Sequence, residues 1–309
     1  MKAHVLCDTK ELSREEWLAR RRQGIGGSDA AAILGVSPWA SAFDVWLEKT
    51  GEYSGGPDPD SEVMYWGTVL EDLVAREFSR RTGKKVRKRN AILCHPEHEW
   101  MLANVDRLVV GEEAGLECKT TSAYNQSQWD DKIPPGYYAQ VQHYMAVTGF
   151  DTWYLAVLIG GQKYKDFVVG RDPEYIENLI QAEMEFWRKV ERGEPPEMDG
   201  SAACSQVLAR LYPEAKEDEQ ELSPEAFSLV SQYEEAQEEE KAAQIRKDEA
   251  ANKLKELLQE HERGRIYDRV VSWSNVITRR LDTKTFQSEE PDLYERYLRE
   301  SKYRKFSIR

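Results

Sequence analysis

A chain of 309 residues can bury a substantial core, in one large domain or two smaller ones. No run approaches the roughly 18 consecutive apolar residues of a membrane span, and the opening MKAHVLCDTKELSREEW lacks the apolar centre of a secretory signal, so a cytoplasmic protein is expected. A net charge of −13 argues against a protein that coats DNA with a uniformly basic surface, though not against an enzyme with a local basic groove.

In chain order, Ser13-Arg14-Glu15-Glu16 reads as a capping box that opens a helix over 13–22. Gly24-Ile25-Gly26-Gly27 breaks it, and Ser28 and Asp29 are placed to cap the next helix, AAAILG, which ends at Gly35. A third short helix spans 41–50 and closes at Gly51, and the Gly, Pro and Asp content of YSGGPDPDS makes that segment a loop. A helix over 62–82 has apolar positions at Val63, Trp66, Leu70, Leu73, Val74 and Phe78 and stops at Gly83. Strands are expected at 85–92, 100–110 and 116–121, the last two joined by the turn 111–115 into an antiparallel hairpin. A helix over 137–148, a strand pair at 152–159 and 164–169, and a long amphipathic helix over 173–192 follow.

The composition shifts at Gly193-Glu194-Pro195-Pro196, which divides the chain into 1–198 and 199–309. Ser223-Pro224-Glu225 is a helix start, and the helix runs to about residue 262. Its middle, EEAQEEEKAAQIRKDEAANK, is too polar to be buried all round and reads as a projecting helix or half of a weak coiled coil. A strand or hairpin over 265–280, a short helix near 292–300 and a strand at 303–308 complete the extension.

The four cysteines, Cys7, Cys94, Cys118 and Cys204, have neither CxxC nor CxH spacing, which argues against a zinc or iron–sulfur site. The chemistry lies in NVDR at 104–107 followed by GLECK at 115–119. On a strand, the period of two puts Glu117 and Lys119 on one face and Leu116, Cys118 and Thr120 on the other. If the turn closes a hairpin, Asp106 comes within reach of Glu117. Two carboxylates and an ammonium then meet, which suits hydrolysis of a phosphodiester assisted by one or two Mg2+ ions. Lys119 would orient the attacking water or stabilise developing charge. A surface hairpin of alternating charge is the bland alternative, and a D…ExK match alone does not exclude it.

Context adds weight. Glu71 shares a helix face with Gly67, Val74, Ala75 and Phe78, and Gln140 lies in a stripe with Tyr137, Val141 and Tyr144. Gly26, Gly27 and Ser28 precede a helix, where free backbone N–H groups and the positive helix end favour an anion. A terminal 5′ phosphate fits there, with Ser28 donating and Arg21 or Arg22 supplying charge; a plain capping role explains the serine but not the arginines. Basic residues gather at Arg20, Arg21 and Arg22 and again at Arg80, Arg81, Lys84, Lys85, Arg87, Lys88 and Arg89, flanking these segments. His143 is read as a core or DNA-contacting residue, His95 and His98 as exposed, and Trp39, Trp46 and Trp66 as core.

The runs RRRQGIGGSDAAAILGVSPWASAFDVWLEKTG, WGTVLEDLVAREF, NVDRLV…GLECKTTS and YYAQVQHYMAVTG, in that order, resemble the YqaJ-type viral recombinase family. These are phage-type nucleases related to lambda exonuclease within the PD-(D/E)XK superfamily, and the resemblance covers 14–192. It implies an α/β (α+β) fold like that of restriction endonucleases, with a central mixed sheet flanked by helices, to which the long helix and hairpin of the extension are appended. It implies a Mg2+-dependent deoxyribonuclease, with Mn2+ able to substitute. By motif position Asp106, Glu117 and the Cys118 carbonyl become metal ligands, Lys119 the catalytic lysine, Glu71 a residue acting on the metal or its water, and Gln140 a site-lining residue. Arg21, Arg22 and Ser28 match the 5′-phosphate grip. Val105 stands where the superfamily name has a proline. Double-stranded DNA is the implied partner, beside a single-strand annealing protein and a homotrimeric ring. Three readings stay open: a 5′–3′ exonuclease resecting ends for recombination, an endonuclease of the same fold, and a non-catalytic DNA-end-binding module.

Overall fold

The computed structural model describes residues 3–52 and 61–308. The loop expected over YSGGPDPDS falls outside them, save its final serine. Two compact units divide the chain, Met1–Leu211 and Tyr212–Arg309.

In the first unit, β2 (Val86–Lys88), β5 (Arg107–Val109), β6 (Ala114–Thr121), β7 (Thr152–Ile159) and β8 (Lys163–Gly170) form a five-stranded sheet in the order β2-β5-β6-β7-β8. Only the β6–β7 pair is parallel. A parallel pair needs a crossover, here a 3-10 turn (Ala123–Trp129) and α5 (Pro135–Thr148). A second, antiparallel sheet joins β1 (His4–Asp8), β3 (Ala91–Cys94) and β4 (Leu102–Asn104).

Strand alternation assigns the two faces of the larger sheet. Trp153, Leu155, Val157 and Ile159 of β7 pack with Val141, Tyr144 and Met145 of α5. Tyr154 and Ala156 pack with Leu116 and with Val74, Ala75 and Phe78 of α4 (Glu62–Thr82) on the other. Helices therefore cover both faces of a mixed sheet, as expected. Gly115 is where a Cβ would lie 2.2 Å from the Trp153 ring, so β6 can pass beneath that indole only as glycine.

Several elements differ from expectation for physical reasons. The runs 85–92 and 100–110 are each split between sheets: β2 and β5 belong to the larger one, β3 and β4 to the smaller. The face of α4 that packs on the sheet buries Val74, Ala75 and Phe78, while Val63 (81% exposed), Trp66 and Leu73 stay in solvent. Trp39 is likewise exposed, and of the three tryptophans assigned to the core only Trp46 is buried. The second helix, α2 (Gly27–Ile33), starts before Ser28, with Gly26 as its cap residue.

α1 (Arg14–Arg21) has the predicted reciprocal cap between Ser13 and Glu16, and α3 (Ala42–Thr50) ends on a left-handed Gly51. α6 (Pro173–Arg192) matches its expected span. The first unit continues past the composition break because α7 (Ala202–Leu211) buries Ala203, Cys204 and Val207, the last against Phe43, Trp46 and Phe186.

The second unit is built on α8 (Ala226–Leu258), in which only Leu258 is buried. Its start lies after the Ser-Pro-Glu signal and its end before residue 262. β9 (Arg263–Ile266) and β10 (Arg269–Ser272) form the hairpin, α9 (Thr283–Glu289) and α10 (Pro291–Tyr297) follow, and no strand forms at 303–308.

Candidate active site

The ladder between β5 and β6 pairs Arg107 with Leu116, and the next position would set Asp106 opposite Glu117. The chain leaves the sheet there, and the Asp106 carboxylate accepts the Cys118 backbone N–H at 2.9 Å in place of a ladder bond. Alternation on β6 puts Glu117 and Lys119 on one face, as expected, and that face looks toward Gln140 and Tyr137 of α5. Lys119 Nζ lies 2.6 Å from Glu117 Oε1, and Gln140 Nε2 donates to the same oxygen at 2.8 Å and contacts the Tyr144 hydroxyl at 2.9 Å. The Lys119 ammonium also lies 5.1 Å from the centre of the Tyr137 ring.

The electrostatics follow from burial. Burial, and then the Glu117 charge beside it, push the Asp106 carboxyl up to about 7. Burial works against the Lys119 ammonium, yet Glu117 and Asp106 raise its pKa above the ordinary lysine value. Glu117 Oε2 is buried with no hydrogen-bond partner among the described residues. Two close carboxylates that repel each other, one with an orphaned buried oxygen, fit a hard divalent cation. The chain's own side chains do not form a full cage: among the described residues no three His, Cys, Asp or Glu side chains gather as a metal site. A backbone carbonyl such as that of Cys118, together with waters, would have to complete the coordination.

Glu71 stands apart from that pair. Burial and the Asp106 charge raise its pKa, but its carboxylate is held by Arg107, which also grips Asp72 and the Asp106 carbonyl. Arg107 is only 4% exposed. Sequence reading missed it. The available signal was its place on β5 opposite Leu116, which directs it to the α4 face where Glu71 arrives.

The glycine segment is tied to the smaller sheet, with Ile25 N–H donating to the Trp100 carbonyl at 2.6 Å and Leu102 N–H to the Ile25 carbonyl at 2.8 Å. A Cβ on Gly27 would meet the Tyr144 ring at 2.5 Å, so α2 can approach α5 closely only through glycine. Asp29 accepts the Gly26 N–H at 2.9 Å and lies 2.7 Å from the fully buried Lys49 ammonium, a second residue missed in the sequence. Burial opposes its charge, but Lys49 and Arg21 hold the carboxyl down to about 2. Arg21 reaches Ser28 Oγ at 3.1 Å and stacks over Trp17 at 4.9 Å.

One cleft of about 210 Å³ joins both sets of residues: Arg21, Gly26, Gly27 and Ser28 line it together with Asp106, Glu117, Gln140 and Tyr144. Arg22 does not line it, and its Nε is buried without a hydrogen-bond partner among the described residues. Within the second basic run, Arg80 and Arg81 share Glu77, Lys84 pairs with Glu112 and Lys88 with Asp72, so three carboxylates offset part of its charge. His143 is a core residue: its Nδ1 lies 2.7 Å from Glu183 Oε1 and its Nε2 2.8 Å from the Leu102 carbonyl.

A mixed sheet covered by helices on both faces, with a carboxylate cleft at a strand that leaves the sheet, defines a mixed α/β fold. LHK-Exo in complex with dAMP aligns at a TM-score of 0.50 and 21% identity, over 64% of this chain and 98% of that one; LHK-Exo is an alkaline exonuclease from Laribacter hongkongensis. At that identity the likeness is one of fold. The model of the YqaJ-like viral recombinase domain matches residues 16–151, which include every candidate residue from Arg21 to Gln140. Uncharacterized protein YqaJ of Bacillus subtilis (strain 168) is 44% identical over 313 residues, spanning 100% of this chain and 98% of its own. Protein D345L of African swine fever virus is 25% identical over 130 residues, 40% of this chain and 34% of the viral protein. The chain belongs to the YqaJ-like viral recombinase family.

Proposed function

We propose that this protein is a metal-dependent deoxyribonuclease that resects duplex DNA from its 5′ ends. The observation that carries the reading is the single cleft in which Arg21, Gly26, Gly27 and Ser28 stand beside Asp106, Glu117 and Gln140. An anion-binding helix start next to a carboxylate pair suits a phosphate at a strand terminus and a scissile phosphodiester close to it.

Asp106, Glu117 and the Cys118 carbonyl would hold Mg2+, or Mn2+ in its place. When bound, the cation neutralises phosphate charge and makes water more acidic. Lys119, positioned by Glu117, would direct its ammonium at the attacking water or at charge developing on the phosphate oxygens. Gln140 fixes the Glu117 oxygen that Lys119 also uses, and Tyr144 anchors the amide of Gln140. Glu71, restrained by Arg107, acts across a water rather than joining the carboxylate pair. Arg21 supplies charge and Ser28 a hydroxyl to the 5′ phosphate, while Asp29 and Lys49 keep the start of α2 in place.

Linear and covalently closed duplexes incubated with Mg2+ test the reading. Loss of the linear form alone is expected, and degradation of closed circles would replace the exonuclease by an endonuclease of the same fold. Dephosphorylated 5′ ends should be resected more slowly, and equal rates would remove the phosphate role of Arg21 and Ser28. The resemblance also carries a trimeric ring and a single-strand annealing partner, and a solution mass measurement decides the first of these.

A further inference from the structure

The second unit carries a group of cations unlike those of the first. Between residues 263 and 280 stand five arginines, Arg263, Arg265, Arg269, Arg279 and Arg280, against the single acid Asp268, in a chain whose net charge is −13. All five are exposed, and none makes an ion pair with any described residue. In the basic run of the first unit, by contrast, Arg80 and Arg81 share Glu77, Lys84 pairs with Glu112 and Lys88 with Asp72, which leaves Lys85, Arg87 and Arg89 without an ion pair among the described residues.

The hairpin register sorts the side chains. Arg263 lies opposite Ser272 and Arg265 opposite Val270, so these four share one face, whereas Gly264 lies opposite Val271 on the other. The Gly264 side is the half-buried one, packed so closely on the end of α8 that a Cβ there would lie 2.9 Å from Leu258. Trp273 N–H donates to the Glu262 carbonyl at 2.9 Å, which extends the ladder and puts Glu262 on that helix-facing side, away from Arg263. The outward face is thus an arginine pair on a rigid two-stranded support. At the tip, Tyr267 is 93% exposed in a left-handed turn.

From this geometry we propose that the β9–β10 hairpin is a second nucleic-acid contact, with Arg263 and Arg265 binding a phosphodiester backbone; Arg279 and Arg280, exposed and seven and eight residues beyond the end of β10, add charge in the chain that follows. Unpaired guanidinium groups in a fixed array present planar donors to phosphate oxygens, and counterion release drives their binding. The inference rests on the DNA-nuclease reading only for the identity of the polyanion, and it is tested without cleavage.

Binding of the full chain to a labelled 30-base-pair duplex and to a single strand of the same length is measured in EDTA over a salt series. Arg263→Gln with Arg265→Gln should lower affinity about tenfold for at least one of the two nucleic acids and reduce the slope of log K against log salt by about 1 to 2, the loss of two phosphate contacts. Arg279→Gln with Arg280→Gln, outside the ladder, gives a second pair that cannot unzip the hairpin. Lys241→Gln with Lys253→Gln removes the same charge from the ion-paired surface of α8 and should leave both quantities unchanged. Parental affinity and slope in both arginine pairs, or an equal loss in the lysine pair, overturns the proposal. A parent that binds DNA through these arginines but never cleaves it with Mg2+ sinks the nuclease reading and leaves the hairpin contact standing.

Discussion

Lys119 and Gln140 both direct a donor at Glu117 Oε1 and leave Oε2 buried without one. That asymmetry makes Glu117 the residue whose loss should be felt first in catalysis. Glu117→Ala is expected to lower the cleavage rate by at least about 100-fold, the scale of removing one electrostatic group from a reacting centre, while DNA binding in EDTA stays near the parental value. The same variant should lose its response to metal. Mg2+ at a hundred times its dissociation constant stabilises a folded protein by about 2.7 kcal/mol, so the parent's melting temperature should rise with Mg2+ and that of Glu117→Ala should not. Arg107 is a structural counterpart. Arg107→Gln would strand the half-buried Glu71 carboxylate, and denaturant titration should register a loss of about 2 kcal/mol, below the full cost of a buried pair because Asp72 is exposed. An unchanged unfolding midpoint would show that the Arg107 contacts contribute nothing.

At the scale of elements, the start of α2 depends on one buried ion pair. Asp29 titrates at about 2 in the folded chain against 3.8 for the free side chain. A depressed carboxylate stabilises the fold above its unfolded pKa, and that contribution is lost as pH falls through the folded value. The parent should therefore lose about 2 kcal/mol between pH 4 and pH 2 from this group. Asp29→Asn should be less stable than the parent near neutrality, with the difference vanishing toward pH 2 in acid unfolding followed by circular dichroism. Element positions were widely readable: α1, α3, α4 and α6 announce themselves through caps, terminal glycines and helical periodicity. The strand breaks were not. No glycine or proline marks Val105-Asp106 as the point where the chain passes from one sheet to the other, and only the competing pairings divide the run.

For the whole molecule, the boundary between units follows burial rather than composition. The Gly-Glu-Pro-Pro segment looks like a linker, yet α7 beyond it closes the cluster around Phe43, Trp46 and Phe186. A chain ending at Leu211 should unfold cooperatively. One ending at residue 198 should be less stable by about 3 kcal/mol or more, since it uncovers those aromatics and removes buried Val207. Equal melting of the two truncations would place α7 outside the folded unit. The sequence by itself determined which groups are available: Asp106, Glu117 and Lys119, the last two on one face of β6, Gln140 on a following helix, and Ser28 in a glycine-rich segment. These depend on residue type and on the periods of strand and helix, which are local. Only the tertiary structure decided that Arg21 and Ser28 share one cleft with the carboxylates while Arg22 is turned away. It also decided that Arg107 holds Glu71 and that Arg80, Arg81, Lys84 and Lys88 are engaged by acids. Those outcomes depend on contacts between residues far apart in the chain, set by how two sheets and the helices between them pack.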